Sequence, residues 1–270
     1  MEHMNPADDT GSGGADLLAG LDLVSGLSWP GVRYFSTTRA GGMSHGAFAS
    51  LNLGAHTRDD PASVRENRRA LRRVLPDEPL WLEQVHGSDV LDADAWLAER
   101  GSAPTADAAV TAQPGRVLAI MTADCLPVVL SDLDGTVLGV AHAGWRGLAG
   151  SVLEHTVARM RSARPRAGSL RAWVGPAISQ RHFEVGHDVY TAFVDQDPGV
   201  RMYFVRSPVS SKWLADLPSI ARHRLWRAGV EDVELSHYCT YGQADLFYSY
   251  RRASDTGRFA TLAWLRPDGA

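Results

Sequence analysis

The chain has 270 residues, 44 % hydrophobic and 21 % charged, too apolar for a disordered polypeptide and long enough to bury a large core. A formal net charge of −4 at pH 7 gives no reason to expect nucleic acid or an anionic membrane surface as partner, and no apolar run approaches the roughly 20 residues that span a bilayer. Two cysteines, Cys125 and Cys239, exclude a disulfide scaffold and fit a reducing compartment, so a cytoplasmic location is expected.

Residues 1–16 are polar, acidic and glycine-rich and lack the apolar segment of a signal peptide; a disordered leader is expected over 1–20, ahead of a single domain over 21–267. Val32 to Thr38 reads as a strand, and the next stretch, Arg39 to Gly46, holds too many glycines for regular structure. A helix is predicted after Asp60, with Pro61 at its first position and Val64, Leu71 and Leu75 as its apolar stripe. Leu80 to Val85 reads as a short strand and Val117 to Thr122 as a stronger one. Leu126 to Leu130 and Thr136 to Ala143 flank a hairpin loop over 132–135. One helix is predicted from about Leu148 to Arg161, then a strand at Arg171 to Gly175, helices near 188–194 and within 214–227, and strands at Leu246 to Tyr250 and Arg258 to Leu265. Helices and strands mix without regular alternation. The expected class is α+β, a single domain of packed mixed β-sheets flanked by helices.

The most informative residues lie on the hairpin. With a four-residue loop, Ser131 pairs with Thr136, and six residues back along each strand Cys125 faces His142 on the same side of the sheet. Directly opposed Cβ atoms lie roughly 4.5–5.5 Å apart, close enough for thiol and imidazole to meet or share a metal. Such a pair is either a nucleophile with its base or two zinc ligands. A lone cysteine is more often a small core residue; the apposed histidine, neighbouring Asp124 and glycine-bracketed Trp145-Arg146 shift the balance. His86, ending a strand before Gly87, is the candidate third partner. Three widely spaced ligands suit a catalytic zinc, whose fourth position stays open. Arg39, Ser50, Asn52 and Arg68, around the glycine loop and the helix start, are candidates for binding phosphate or ribose hydroxyls.

Ser36-Thr-Thr-Arg-Ala-Gly-Gly42, Ala49-Ser-Leu-Asn-Leu-Gly54, Gln84-Val-His-Gly87, Thr122-Ala-Asp-Cys-Leu-Pro127, Ala141-His-Ala-Gly-Trp-Arg-Gly147 and Thr256-Gly-Arg258 together resemble the YfiH family, also known as laccase-domain purine nucleoside phosphorylases. The resemblance runs in order from about residue 30 to 266. It implies a zinc centre of His86, Cys125 and His142, with phosphorolysis of adenosine, inosine, guanosine and S-methyl-5′-thioadenosine and deamination of adenosine. It departs at Ser179-Gln-Arg-His-Phe183 and Ala253-Ser-Asp255, outside the proposed centre. On this reading Cys125, His142, His86 and Asp124 carry the chemistry, Asp124 moving protons, and Arg39, Arg68 and Arg146 orient phosphate. The expected partners are a purine nucleoside and phosphate. One rival is a metal-free cysteine hydrolase or amidase acting on a small amide or cell-wall precursor, and a non-catalytic binding module is a more distant one. Multicopper chemistry is not expected: it draws on many histidines, largely in His-x-His pairs, and this chain has ten histidines and no such pair.

Overall fold

A computed structural model describes residues 21–96 and 103–267; the expected leader over 1–20 lies outside the described residues. In chain order the elements begin β1 (Leu23–Val24), β2 (Val32–Thr37), α1 (Pro61–Arg72), β3 (Val90–Asp92), β4 (Ala108–Thr111) and β5 (Leu118–Thr122). They continue β6 (Leu126–Asp132), β7 (Leu138–Ala143), α2 (Trp145–Ala149), α3 (Val152–Ala163), β8 (Leu170–Val174) and β9 (Glu184–Val185). The last are α4 (His187–Val194), β10 (Phe204–Arg206), β11 (Trp213–Ala215), α5 (Leu217–Arg227), β12 (Asp232–Leu235) and β13 (Phe259–Leu265).

They form a six-stranded mixed sheet, β12-β8-β6-β7-β4-β3, a four-stranded antiparallel sheet, β1-β2-β13-β5, and a small three-stranded sheet, β10-β11-β9. The class is α+β. Period-two alternation stacks the layers. On β5, Leu118 and Ile120 face the six-stranded sheet and pack with Val129, Val140 and Trp173, while Ala119 and Met121 face the other way, onto Leu71 of α1. Val128 and Leu130 of β6 turn to the far side of their sheet, against α3, α4 and α5. The order is therefore α1, four strands, six strands, helices.

α1 starts where its signals place it: the Asp60 carboxylate accepts from Ala62 N and Ser63 N, and Pro61 needs no donor there. The expected helix over 148–161 is two helices, because Ser151 takes φ 71° and breaks the run between α2 and α3. Neither 80–85 nor 246–250 is a strand. Leu80 and Glu83 make isolated bridges, and Leu246 N and Phe247 N both turn back onto Gln243 O. The layout positions one corner above all. β5 ends at Thr122 in one sheet and β6 begins at Leu126 in the other, so the chain crosses between sheets through Ala123, Asp124 and Cys125.

Candidate functional site

At that corner β7 presents His142, buried at its penultimate position. The β4–β7 ladder runs one pair beyond β4, so Asp107 opposes His142, and His142 N donates to Asp107 O at 2.7 Å. Their side chains meet as well, with Nδ1 of His142 2.7 Å from Oδ1 of Asp107. The same fully buried carboxylate accepts from Val85 N (3.1 Å), His86 N (2.9 Å) and Gly87 N (2.6 Å). Those three donors wrap a loop in which His86 itself, rather than Gly87, takes the left-handed conformation, φ 60°. One carboxylate thus fixes both histidines. It also sets the His142 tautomer: Nδ1–H is donated and Nε2 keeps its lone pair.

Cys125 follows Asp124, whose φ of 100° bends the crossover. The Asp124 carboxylate accepts from Thr240 Oγ1 (2.6 Å), Ser249 Oγ (3.0 Å) and Arg251 N (2.7 Å), which ties the 240–251 segment to the turn beneath Cys125. Cys125 Sγ lies 3.8 Å from His86 Nε2, and one donor atom from each of His86, Cys125 and His142 falls within 4.8 Å of the others. The hairpin that brings them together is out of the expected register by two residues: Pro127, and not Cys125, faces His142. Extended one pair, the ladder sets Cys125 against Gly144, where an added Cβ would stand 3.0 Å from Cys125 Sγ and 2.8 Å from His86 Cδ2. Gly144 is the gap through which the thiol reaches the imidazoles. An even slip preserves the face, so the convergence survives.

Burial pushes the Cys125 thiol up, but the charge of His142 and hydrogen bonds from both imidazoles outweigh it and bring the thiol down to about 6. Burial likewise pushes His142 down, and the Cys125 thiolate and Asp107 outweigh it, raising the imidazole to about 9. Each of the pair thus favours the charged form of the other. A tetrahedral zinc, about 2.3 Å from sulfur and 2.0 Å from nitrogen, spaces its ligands roughly 3.5 Å apart. The 3.8 Å sulfur–nitrogen separation is close to that, and one thiolate with two imidazoles is a donor set suited to zinc. Among the described residues this is the one cluster of three or more such donors.

The residues expected to bind phosphate or ribose do different things. Asn52 is fully buried, donates to Thr57 Oγ1 and Asp59 Oδ2, and accepts from Gly54 N and Arg258 N, so it organises its loop. Ser50 Oγ donates to Arg39 O and accepts from Gly42 N. Arg39 donates to Ala49 O and Ala244 O beneath the Tyr248 ring, and Arg68 donates to Leu53 O with its guanidinium over Trp81. Arg146 is exposed, its guanidinium 4.4 Å from the Trp145 ring. Sequence reasoning missed Asp107, whose one signal is a single acid inside the apolar run Ala106–Val110, and Thr240 and Ser249 behind Asp124.

A family model described as "Multi-copper polyphenol oxidoreductase laccase" matches residues 33–266. A purine nucleoside phosphorylase of Pseudomonas aeruginosa is 48 % identical over 241 residues, 88 % of this chain and 96 % of the relative. The purine nucleoside phosphorylase YfiH of Escherichia coli is 45 % identical over 242 residues, again 88 % and 96 %. Among solved structures, a Neisseria meningitidis protein superposes with a TM-score of 0.83 at 42 % identity, covering 92 % of this chain and 100 % of that one. A Bacillus licheniformis YfiH protein of uncharacterised function gives 0.78 at 26 %, covering 87 % and 93 %. On these matches the chain belongs to the laccase-like YfiH family.

Proposed function

We propose that the chain is a cytoplasmic purine nucleoside phosphorylase whose His86, Cys125 and His142 hold zinc, and that it acts on adenosine, inosine, guanosine and S-methyl-5′-thioadenosine and deaminates adenosine as a second activity. The observation that carries this reading is the Asp107-backed convergence of the three donors, in a chain nearly half identical to relatives bearing the phosphorylase name. The catalytic domain we assign is 21–267.

In phosphorolysis, phosphate attacks C1′ of the ribose as the glycosidic bond breaks through an oxocarbenium-like state, and the departing purine takes a proton. When bound, zinc supplies Lewis acidity toward the purine or toward water. The protein's own residues do the rest. Asp107 keeps the His142 ring oriented and its Nε2 available. Asp124, with both carboxylate oxygens engaged, is a positioning residue for Cys125 and the 240–251 segment. Arg146, with no side-chain hydrogen bond among the described residues, is free to meet an anion at the mouth. The lowered Cys125 thiol favours one second reading, a metal-free cysteine hydrolase with His142 as base.

Metal analysis of purified protein by mass spectrometry, with adenosine assayed with and without phosphate and Cys125→Ala in parallel, separates the two. About one zinc per chain and phosphate-dependent release of adenine and ribose 1-phosphate are expected, both lost in the variant. Inosine measures deamination in the same assay. A zinc-free protein whose Cys125 alkylates rapidly and which leaves purines untouched overturns the proposal in favour of the hydrolase.

A further inference from the structure

Positive charge gathers beside the zinc corner without a carboxylate to meet it. The β13–β5 ladder pairs Phe259 with Thr122, and its next step sets Arg258 against Ala123, at the turn that presents Cys125. Arg258 N donates to Asn52 Oδ1 at 2.8 Å, and its stem packs on Gly54, where an added Cβ would lie 2.9 Å from Cγ of Arg258. Thr57 N closes a turn onto Gly54 O, and that turn carries His56. From the other side Arg68 donates to Leu53 O at 2.9 Å. Two arginines therefore grip one short segment, 52–57, which carries His56 at the edge of the catalytic corner.

Neither guanidinium is held by a direct ion pair, although Cys125 and Asp124 favour the charge of Arg258, and Glu78 that of Arg68, at longer range. Among the described residues neither Arg68 nor Arg258 forms an ion pair; the bonds of Arg258 go to Thr256 O and Gly257 O, and those of Arg68 to Leu53 O and the Met121 sulfur. The Asp124 carboxylate hydrogen-bonds to Thr240, Ser249 and Arg251 N rather than to either guanidinium. Half-buried guanidinium groups without a counter-charge are costly unless an anion completes them. We propose that Arg258 and His56, backed by Arg68, form the subsite that takes inorganic phosphate and sets it beside the zinc corner. This inference rests on the phosphorylase reading. The electrostatics agree: burial is the leading cause that pushes Arg258, Arg68 and His56 all down, and the two arginines push His56 further. A phosphate dianion offsets the cost at all three, with Arg258 supplying paired donors and His56 one N–H.

The test is a kinetic split supported by direct binding. With nucleoside saturating, Arg258→Lys is expected to raise the KM for phosphate by about tenfold or more, as for a lost charge-assisted hydrogen bond. His56→Ala, on an exposed turn, is expected to raise it several-fold, and both leave the KM for nucleoside and the zinc content near wild type. Phosphorus NMR titration of inorganic phosphate against each protein reads binding without turnover. If the wild type phosphorolyses purines but both variants keep its phosphate KM and its phosphate binding, the subsite is wrong and the phosphorylase reading stands. If the wild type binds phosphate through these residues yet never cleaves a nucleoside, the subsite stands and the phosphorylase reading falls. Should Arg258→Lys fail to fold, His56→Ala decides alone.

Discussion

Asp107 is the side chain on which the centre depends most, since its two oxygens receive four donors and serve both histidines. Asn at this position keeps one acceptor oxygen: with its NH2 in place of Oδ1, His86 N and His142 Nδ1 both lose their acceptor, and with its NH2 in place of Oδ2, Val85 N and Gly87 N on either side of His86 lose theirs. Asp107→Asn is expected to weaken zinc binding by about 10- to 100-fold while far-UV circular dichroism stays native, as read by competition with a chromophoric chelator. Zinc affinity equal to wild type would mean the ligands hold themselves in place. His86, Cys125 and His142 stand out in the sequence because each is a metal-capable residue within two positions of a glycine or proline, with Cys125 and His142 on the arms of one hairpin. Asp107 is not legible, since its meaning comes from β4 lying against β7, a pairing between segments more than thirty residues apart that no local pattern announces. The arginines mislead for a related reason. A cation near a glycine loop suggests a ligand, yet Arg39 spends its donors on the backbone carbonyls of Ala49 and Ala244.

At the scale of elements, hydrogen bonds from side chains decide what the apolar pattern leaves open. The hairpin loop is longer than expected because the Asp132 carboxylate accepts from Thr136 N, Thr136 Oγ1 and Val137 N, drawing two residues out of the strand and into the turn. The segment 80–85 looks like a strand yet supplies a side chain in place of a ladder: Gln84 Oε1 accepts from Met121 N and Gln84 Nε2 donates to Met121 O, both at 2.8 Å. That amide caps the free edge of β5 two residues before His86. Gln84→Met leaves both buried backbone groups unpaired, at about 1–3 kcal/mol each, so urea unfolding is expected to lose about 2 kcal/mol or more and zinc affinity to fall with it. Unchanged stability would show that water replaces the amide. A second junction responds to pH. His223 Nε2, Gly199 N and Arg227 donate to Asp197, locking α5 to the segment that follows α4. The hydrogen bond from His223 leads in holding this carboxyl below its ordinary value, against burial. A carboxyl depressed on folding adds stability above its unfolded value and gives it up as pH falls through the folded one, so the loss belongs below about pH 4. Asp197→Asn is expected to be less stable than wild type at pH 7, with a gap that narrows as pH falls below about 4 in urea titrations. A gap that stays constant with pH would assign the effect to packing.

For the whole molecule, the zinc proposed above raises the question of whether it would build the fold or only furnish the site. Three apolar clusters fill the layers, and their largest buried side chains include Trp173, Phe193, Phe259, Leu71 and Leu130. The donor residues lie outside all three, at the corner where β5 gives way to β6. Small zinc domains unfold without metal because they have no such core; a chain of this size with stacked sheets does not share that weakness. The clusters were foreseeable in kind, since alternating apolar strands require two-sided packing, but their division into layers follows from the crossover, which depends on long-range pairing. Zinc then adds only its binding free energy. At a free concentration about 100-fold above its Kd this is about 2.7 kcal/mol, which for a chain of this length moves the unfolding midpoint by roughly 5–10 °C. Chelation is therefore expected to lower the midpoint by that much while near-UV circular dichroism and cooperative unfolding persist, and added zinc to restore it. A chelated protein that loses its near-UV spectrum would put the metal inside the folding unit, with the corner unable to form until its three ligands are joined.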